Sequence, residues 1–423
     1  MDKLIINGGK KLTGKVSISG SKNSALPILF ATLLTDEEVI LYNVAELADI
    51  NTAVKIIEYL GKKVVRDDHK VVVTTRGFPP KTEGYIVAPY DLIRTMRASF
   101  LVSGALLAKN RKVKVALPGG CAIGVRPVDI HISAFEHFGC KHFLEEGYVV
   151  FHREKLYPAK VKLKYPSVGA TENVILISSL IDGEVVIENA AREPEIVDLV
   201  EFVKKLGVEI SGEGTSKISI RGVRKIKNKK VEHTIIPDRI ETGTYIIATL
   251  ATRGEVEIEN VIWQHNRSLI RKLINGGAQI IPQKNCLYVK YKKELKPSDV
   301  VTGPYPSFPT DLQAQYMSLM CITKGRCVVR ETVFENRFIH VAELQRMGAD
   351  LQIEDSRCYV NGVEKLIGCP VMVSDLRAGA ALVIAGLVAE GRTEINRVYH
   401  LDRGYEKLEY KLSKLGADIK RVK

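Results

Sequence analysis

The chain has no uninterrupted apolar run of about 18 residues, the length a helix needs to cross a bilayer, and its opening MDKLIINGGKK lacks the apolar core of a signal peptide. A cytoplasmic protein with no membrane partner is therefore expected. Cysteine is sparse and unpatterned. The seven thiols, at 121, 140, 286, 321, 327, 358 and 369, form no CxxC pair, which speaks against a disulfide framework and against a structural zinc site. A basic tail and an aromatic RNA-binding signature are also missing. The formal charge of +13 favours anionic partners, but its lysines and arginines are spread along the chain, with only short clusters such as RKIKNKK at 224–230. Nucleic acid is not the expected partner.

What remains is an ordinary globular composition, 45% hydrophobic and 26% charged over 423 residues, longer than a single hydrophobic core usually serves. Two domains follow from that length, and an internal repeat says how they are built. A nearly all-apolar segment with a short β-like stretch behind it recurs as ALPILFATLLTDEEVIL, FLVSGALLAKNRKVKV, VILISSLIDGEVVI, YIIATLATRGEVEI, YMSLMCITKGRCVV and ALVIAGLVAEGRTEI. The turns fall at Glu37, Arg111, Gly183, Gly254, Gly325 and Gly391, roughly every 70 residues. An amphipathic segment ending near glycine follows in every copy: VKIIEYLG, ISAFEHFG, VEFVKKLG, IRKLINGG, VAELQRMG and EYKLSKLG. β-branched runs such as VVVTT and KISIRG come next. Each unit reads as strand, buried helix, strand, exposed helix, strand, strand.

The sixth copy stops at GADIKRVK without its last strand, and INGGKKLTGKVSISGSKN at the N-terminus lines up with VNGVEKLIGCPVMVSDLR in the last third. The expectation is an α/β protein of six βαβαββ units, three per domain. One lobe spans 22–230, and the other joins 1–21 to 231–423. Two crossing strands near 21 and 230 would act as a hinge, with ligands in a cleft between the lobes.

Polar residues gather at the start of each buried helix: Ser21-Lys22-Asn23, Arg94 with Arg97, Thr171-Glu172-Asn173, Asp238-Arg239 with Glu241, Thr310-Asp311 and Asp375-Leu376-Arg377. Helix N-termini attract phosphate and carboxylate, and Lys22, Arg97 and Arg377 add cations there. A cation at that end opposes the helix dipole, so Lys22 and Arg377 call for an anion, which an anionic substrate would supply. Glu172, Glu241 and Asp375 also read as ordinary capping or ion-pairing groups. In LPGGCAIGVRPVDI, Cys121 sits among glycines near Arg126, either as a reactive thiol or as a small hydrophobe in a turn.

The segments SGSKNSALPIL, TMRAS, LPGGCAIGVRPVDIH, SVGATEN, PDRIETGTY, FPTDLQAQY, ENRF, DLRAG and HLDRGYEKLEYKL, in this order over nearly the whole chain, resemble the enolpyruvyl transferase family, its UDP-N-acetylglucosamine branch in particular. The resemblance implies two lobes of three inside-out βαβαββ units. It also implies transfer of the enolpyruvyl group of phosphoenolpyruvate to the 3′-hydroxyl of UDP-N-acetylglucosamine with release of phosphate, the opening of peptidoglycan precursor synthesis, by a cytoplasmic monomer needing no metal or organic cofactor. By the same resemblance Cys121 is the general acid and the target of fosfomycin, and Asp311 takes or orients the sugar hydroxyl proton. Lys22 and Asn23 meet phosphoenolpyruvate. Lys22, Arg126 and Arg403 face its phosphate, and Arg337 and Arg377 its carboxylate. The nucleotide sugar falls to Arg97, Arg126, Pro127, Val128, Asp129 and Ile130, with Ser167, Val168 and Gly169 on the opposite wall and Val333 near the sugar. Two rivals stand beside this reading. A sister enzyme acting on shikimate 3-phosphate is not expected to carry the GGCAIGVRPVD loop, and a non-catalytic nucleotide-sugar binder has no need of Lys22, Cys121 and Asp311.

Overall fold

The computed structural model describes residues 2–94, 96–117, 128–226, 230–334 and 336–423, and of Arg97 the backbone alone. The described residues divide into two compact units, one within 2–19 and 237–423 and the other within 20–117 and 128–236. The protein has a two-domain α/β fold of six βαβαββ repeats, three sheets to a unit.

All six sheets share one strand pattern: the first strand lies parallel to the second, and the last two add to it antiparallel. In the third repeat, Lys160–Lys162 runs beside Glu184–Glu188, then come Lys217–Arg221 and Glu209–Ser211. Val161, Val185, Ile187, Ile210, Ile218 and Ile220 alternate inward along these strands, which is why β-branched residues at period two select this structure. The second sheet carries one extra short strand, Lys81–Thr82, hairpinned onto Tyr85–Ala88.

The inner helix of each repeat is largely apolar beyond its first turn and is buried accordingly. Arg239–Ala251 buries all of its residues, and Leu376–Val388 buries everything from Arg377 to Leu387. Two close approaches depend on glycine. A Cβ at Gly104 would stand 2.6 Å from the backbone oxygen of Asn173 on the neighbouring inner helix, and one at Gly243 would stand 2.4 Å from Leu312. The second helix of each repeat is one-sided. Pro194–Lys205 buries Ile196, Leu199, Val200, Phe202 and Val203 and places Lys204 and Lys205 in its last turn, where cations suit the dipole. Among the described residues no helix is long and apolar enough to cross a membrane.

Strand partners correct the expected boundaries. Lys3–Asn7 pairs antiparallel with both Arg392–Asn396 and Asp418–Val422, supplying the strand the sixth repeat lacks. Thr13–Ser17 lies parallel to Glu255–Glu259 and is the first strand of the fourth repeat, not of the repeat whose helix follows it in sequence. That helix, Lys22–Ala31, takes its first strand from Lys230–Thr234, parallel to Glu38–Tyr42. Residues 230–234 therefore belong with 20–236, and the chain leaves one unit for the other between Ser19 and Gly20 and again between Ile236 and Pro237. Parallel pairing carries no local signal, which is why the sequence placed the second boundary too early.

Candidate functional site

In the unit within 20–236, Lys22 opens the inner helix Lys22–Ala31, with Asn23 half-buried behind it. Ser21 takes the N-cap position but makes no side-chain cap, and its buried Oγ has no partner among the described residues. The lysine needs a counter-charge against the helix dipole and has one: Asp49 Oδ2 lies 3.0 Å from Lys22 Nζ, and both side chains are largely withdrawn from water. Asp49 sits in the first turn of the outer helix Ala48–Tyr59, where an acid is favoured in its own right. The sequence reading assigned this counter-charge to a substrate, because no spacing rule connects positions 22 and 49.

Two further helix starts meet in the same unit. Asp129–Glu136 begins just after Val128, with Asp129 in its first turn and Ile130 next to it. Ser167 caps Val168–Ser178 by accepting from Ala170 N at 3.3 Å. Gly169 faces His131 so closely that a Cβ there would lie 3.0 Å from Cε1 of the imidazole. His131, buried, stands edge-on to Phe100 at 5.4 Å and bonds through Nδ1 with Asn173 Nδ2 at 2.8 Å. The stretches expected on opposite walls, 128–130 and 167–169, are thus joined through His131, whose role in spacing them the sequence did not reveal. Within the same helix Glu172 is buried. Burial, with the charges of Glu195 and Glu193, raises its carboxyl well above the usual range.

In the unit within 2–19 and 237–423, Asp311 is bracketed by two guanidinium groups. Arg337 Nη2 donates to Oδ1 at 2.7 Å, and Arg377 Nη2 to Oδ2 at 3.4 Å. Burial pushes the Asp311 carboxyl up, but Arg377 and Arg337 outweigh it and hold the group well below the carboxylate range. Arg377 begins the inner helix Leu376–Val388, whose N-cap Asp375 accepts from Arg377 N at 2.8 Å and Ala378 N at 3.2 Å. Tyr405 Oη joins three elements: it lies 2.9 Å from Thr244 Oγ1, accepts from Gln315 Nε2 at 3.2 Å, and sits 3.5 Å from Arg377 Nη1. Arg337 is nearly inaccessible, and its Nε has no partner among the described residues, so a buried donor remains open. Val333 lies half-buried on the segment leading to Arg337. Arg403, also half-buried, ends the turn Val398–Arg403, two residues before Tyr405.

Of the other polar helix starts, Glu241 is an ion-pairing group, 2.6 Å from Lys411 Nζ, and Arg94 lies exposed beside Asp91. Cys121, Arg126 and Pro127 lie outside the described residues, as does the Arg97 side chain. The six described thiols include Cys321, Cys327 and Cys358, buried together in one core, where loss of water raises all three above their ordinary values. Asp49, His131, Glu331 and Tyr405 are the site neighbours the sequence did not single out, since each acts across elements far apart in the chain.

Six inside-out repeats in two units, with arginines and a carboxylate gathered at inner helix starts, define an enolpyruvyl-transferase type of fold. The solved enolpyruvyl transferase NikO from Streptomyces tendae superposes with a TM-score of 0.90 at 24% identity, covering 100% of this chain and 99% of its own. EPSP synthase from Acinetobacter baumannii superposes at 0.76 with 16% identity over 100% of both chains. The chain belongs to the EPSP synthase (3-phosphoshikimate 1-carboxyvinyltransferase) family, whose model matches residues 6–412. Within that family it is 51% identical, over 423 residues and 100% of both chains, to the UDP-N-acetylglucosamine 1-carboxyvinyltransferase of Endomicrobium trichonymphae. It is also 51% identical, again over 100% of both chains, to UDP-N-acetylglucosamine 1-carboxyvinyltransferase 2 of Carboxydothermus hydrogenoformans.

Proposed function

We propose that this protein transfers the enolpyruvyl group of phosphoenolpyruvate to the 3′-hydroxyl of UDP-N-acetylglucosamine, releasing phosphate, at the entry to peptidoglycan precursor synthesis. The observation that carries the reading is Asp311 held between Arg337 and Arg377 in a chain about half identical, end to end, to relatives bearing that name.

The chemistry asks for a proton on C3 of phosphoenolpyruvate, attack of the sugar oxygen at C2, and loss of phosphate from the tetrahedral intermediate. Asp311 is too weak a base while both guanidinium groups face it. The substrate's carboxylate competes for Arg337 and Arg377, and as they turn to it Asp311 regains basicity where the sugar hydroxyl must lose its proton. The open Arg337 Nε supplies a further donor for that carboxylate. Lys22, steadied by Asp49, together with Asn23, Arg126 and Arg403, attends the phosphate. Arg97, residues 126–130, Ser167, Val168, Gly169 and Val333 receive the nucleotide sugar, and Cys121 delivers the proton to carbon. The protein works in the cytoplasm, as a monomer, in cell-wall growth and division, and fosfomycin alkylates Cys121.

A phosphate-release assay decides it. Phosphate should appear only when phosphoenolpyruvate and UDP-N-acetylglucosamine are both present. Release with shikimate 3-phosphate in place of the nucleotide sugar, or none with either acceptor, overturns the proposal.

A further inference from the structure

Glu331 directly follows the strand Arg326–Arg330 and is 2% exposed, yet no cation is paired with it among the described residues. Four donors converge on it instead. Oε1 accepts from Thr302 Oγ1 at 2.7 Å, Val333 N at 2.8 Å and Phe334 N at 3.1 Å, and Oε2 accepts from Thr310 Oγ1 at 2.8 Å. An acceptor-only group surrounded by donors fixes the sense of every hydrogen bond around it. Thr310 gives its one proton to Glu331, so its lone pairs are turned outward, and Arg337 Nη1 donates to them at 2.9 Å. The same guanidinium reaches Asp311 through Nη2. Thr302 repeats the arrangement, donating to Glu331 while accepting from Thr332 N at 2.9 Å.

We infer that Glu331 is a positioning residue: through the Thr310 hydroxyl it orients the Arg337 guanidinium on Asp311, and through two backbone amides it holds the Val333 segment in the same frame. One carboxylate thereby sets both the arginine assigned to the phosphoenolpyruvate carboxylate and the residue assigned to the sugar, an assignment that rests on the function proposed above.

The test uses the full chain and the substitutions Glu331→Gln, Thr310→Val, Thr310→Ser and the Glu331→Gln/Thr310→Val pair. A glutamine amide meeting these donors turns one acceptor into a donor, so Thr310 must accept from it and the hydroxyl proton loses its place. Glu331→Gln and Thr310→Val each raise KM for phosphoenolpyruvate about tenfold, the loss of one charge-assisted bond, with a smaller change in kcat. Thr310→Ser, which keeps the hydroxyl, recovers most of that loss relative to Thr310→Val. The double variant is no worse than either single one, because both break the same relay. Additive effects, or an unchanged KM in folded Glu331→Gln, overturn the inference. Should Glu331→Gln not fold, the valine and serine variants decide the matter: equal KM values for the two sink it. Should the wild-type chain release no phosphate, the functional reading falls. The relay is then judged on thermal unfolding alone, where non-additivity between positions 310 and 331 supports it and additivity removes it.

Discussion

Lys22 Nζ lies 3.0 Å from Asp49 Oδ2, joining the first residue of an inner helix to the first turn of the outer helix that follows it. Lys22 points its charge at the wrong end of a helix dipole, and Asp49 compensates it before any ligand arrives. Asp49→Asn leaves a buried ammonium without its partner and is expected to cost about 3 kcal/mol of stability, while Lys22→Met with Asp49→Leu costs less than Asp49→Asn alone. Chemical denaturation of the three proteins checks this. The idea fails if the double variant is the least stable.

Glu172 sets a pH dependence of the opposite sign to an ordinary ion-paired acid. Burial and the neighbouring Glu195 and Glu193 raise its carboxyl, so the folded chain keeps a proton that the unfolded chain releases above about pH 4.3. Its contribution to stability therefore declines as pH rises from that value toward its folded one. Glu172→Gln needs no such proton and should melt higher than the wild type at pH 8, with the gap closing toward pH 4. Melting curves that stay parallel at all pH values would contradict the assignment.

Packing at Gly104 leaves no space for a methyl group. The added Cβ would lie 2.6 Å from both Asn173 O and Oδ1, and the latter already accepts from Gly104 N at 2.9 Å. Gly104→Ala is expected to lose about 1–3 kcal/mol, whereas Gly77→Ala, with nothing within 4 Å of the new atom, changes stability little. Equal melting temperatures for the two variants would show that the inner helices part without cost.

The role proposed for Cys121 is tested by acidity. Cys121→Asp retains a group able to carry a proton and keeps measurable phosphate release, while the hydroxyl of Cys121→Ser is too weak an acid and activity falls by about 10²-fold or more. On the same proposal, fosfomycin is expected to add mass to the wild-type chain in intact-protein spectra and to leave the aspartate variant unmodified. Equal turnover by the two variants would remove the thiol from proton transfer.

Much of the candidate site was legible because helix starts announce themselves. Asp311, Arg377 and Ser167 each open a buried helix or lie one turn from its start, and the structure finds them there. The company they keep was not legible. Arg337 stands 26 residues beyond Asp311, yet it donates to Asp311 Oδ1 and also to the Thr310 hydroxyl, which in turn donates to Glu331. The low proton affinity of Asp311 depends on two guanidinium groups from different repeats, and local spacing has no access to that sum.

By itself the sequence determined the six repeats, the inner and outer character of the helices, and the N-terminal origin of the sixth repeat's last strand, since all of these are written in periodicities of 3.6 and 2 and in self-similarity. Only the tertiary structure decided that Thr13–Ser17 joins Glu255–Glu259 and that Lys230–Thr234 joins Glu38–Tyr42. Those partnerships are made by backbone hydrogen bonds common to every residue type. They are selected by which apolar faces can be buried together across more than 180 residues of chain, a global balance that no short stretch records.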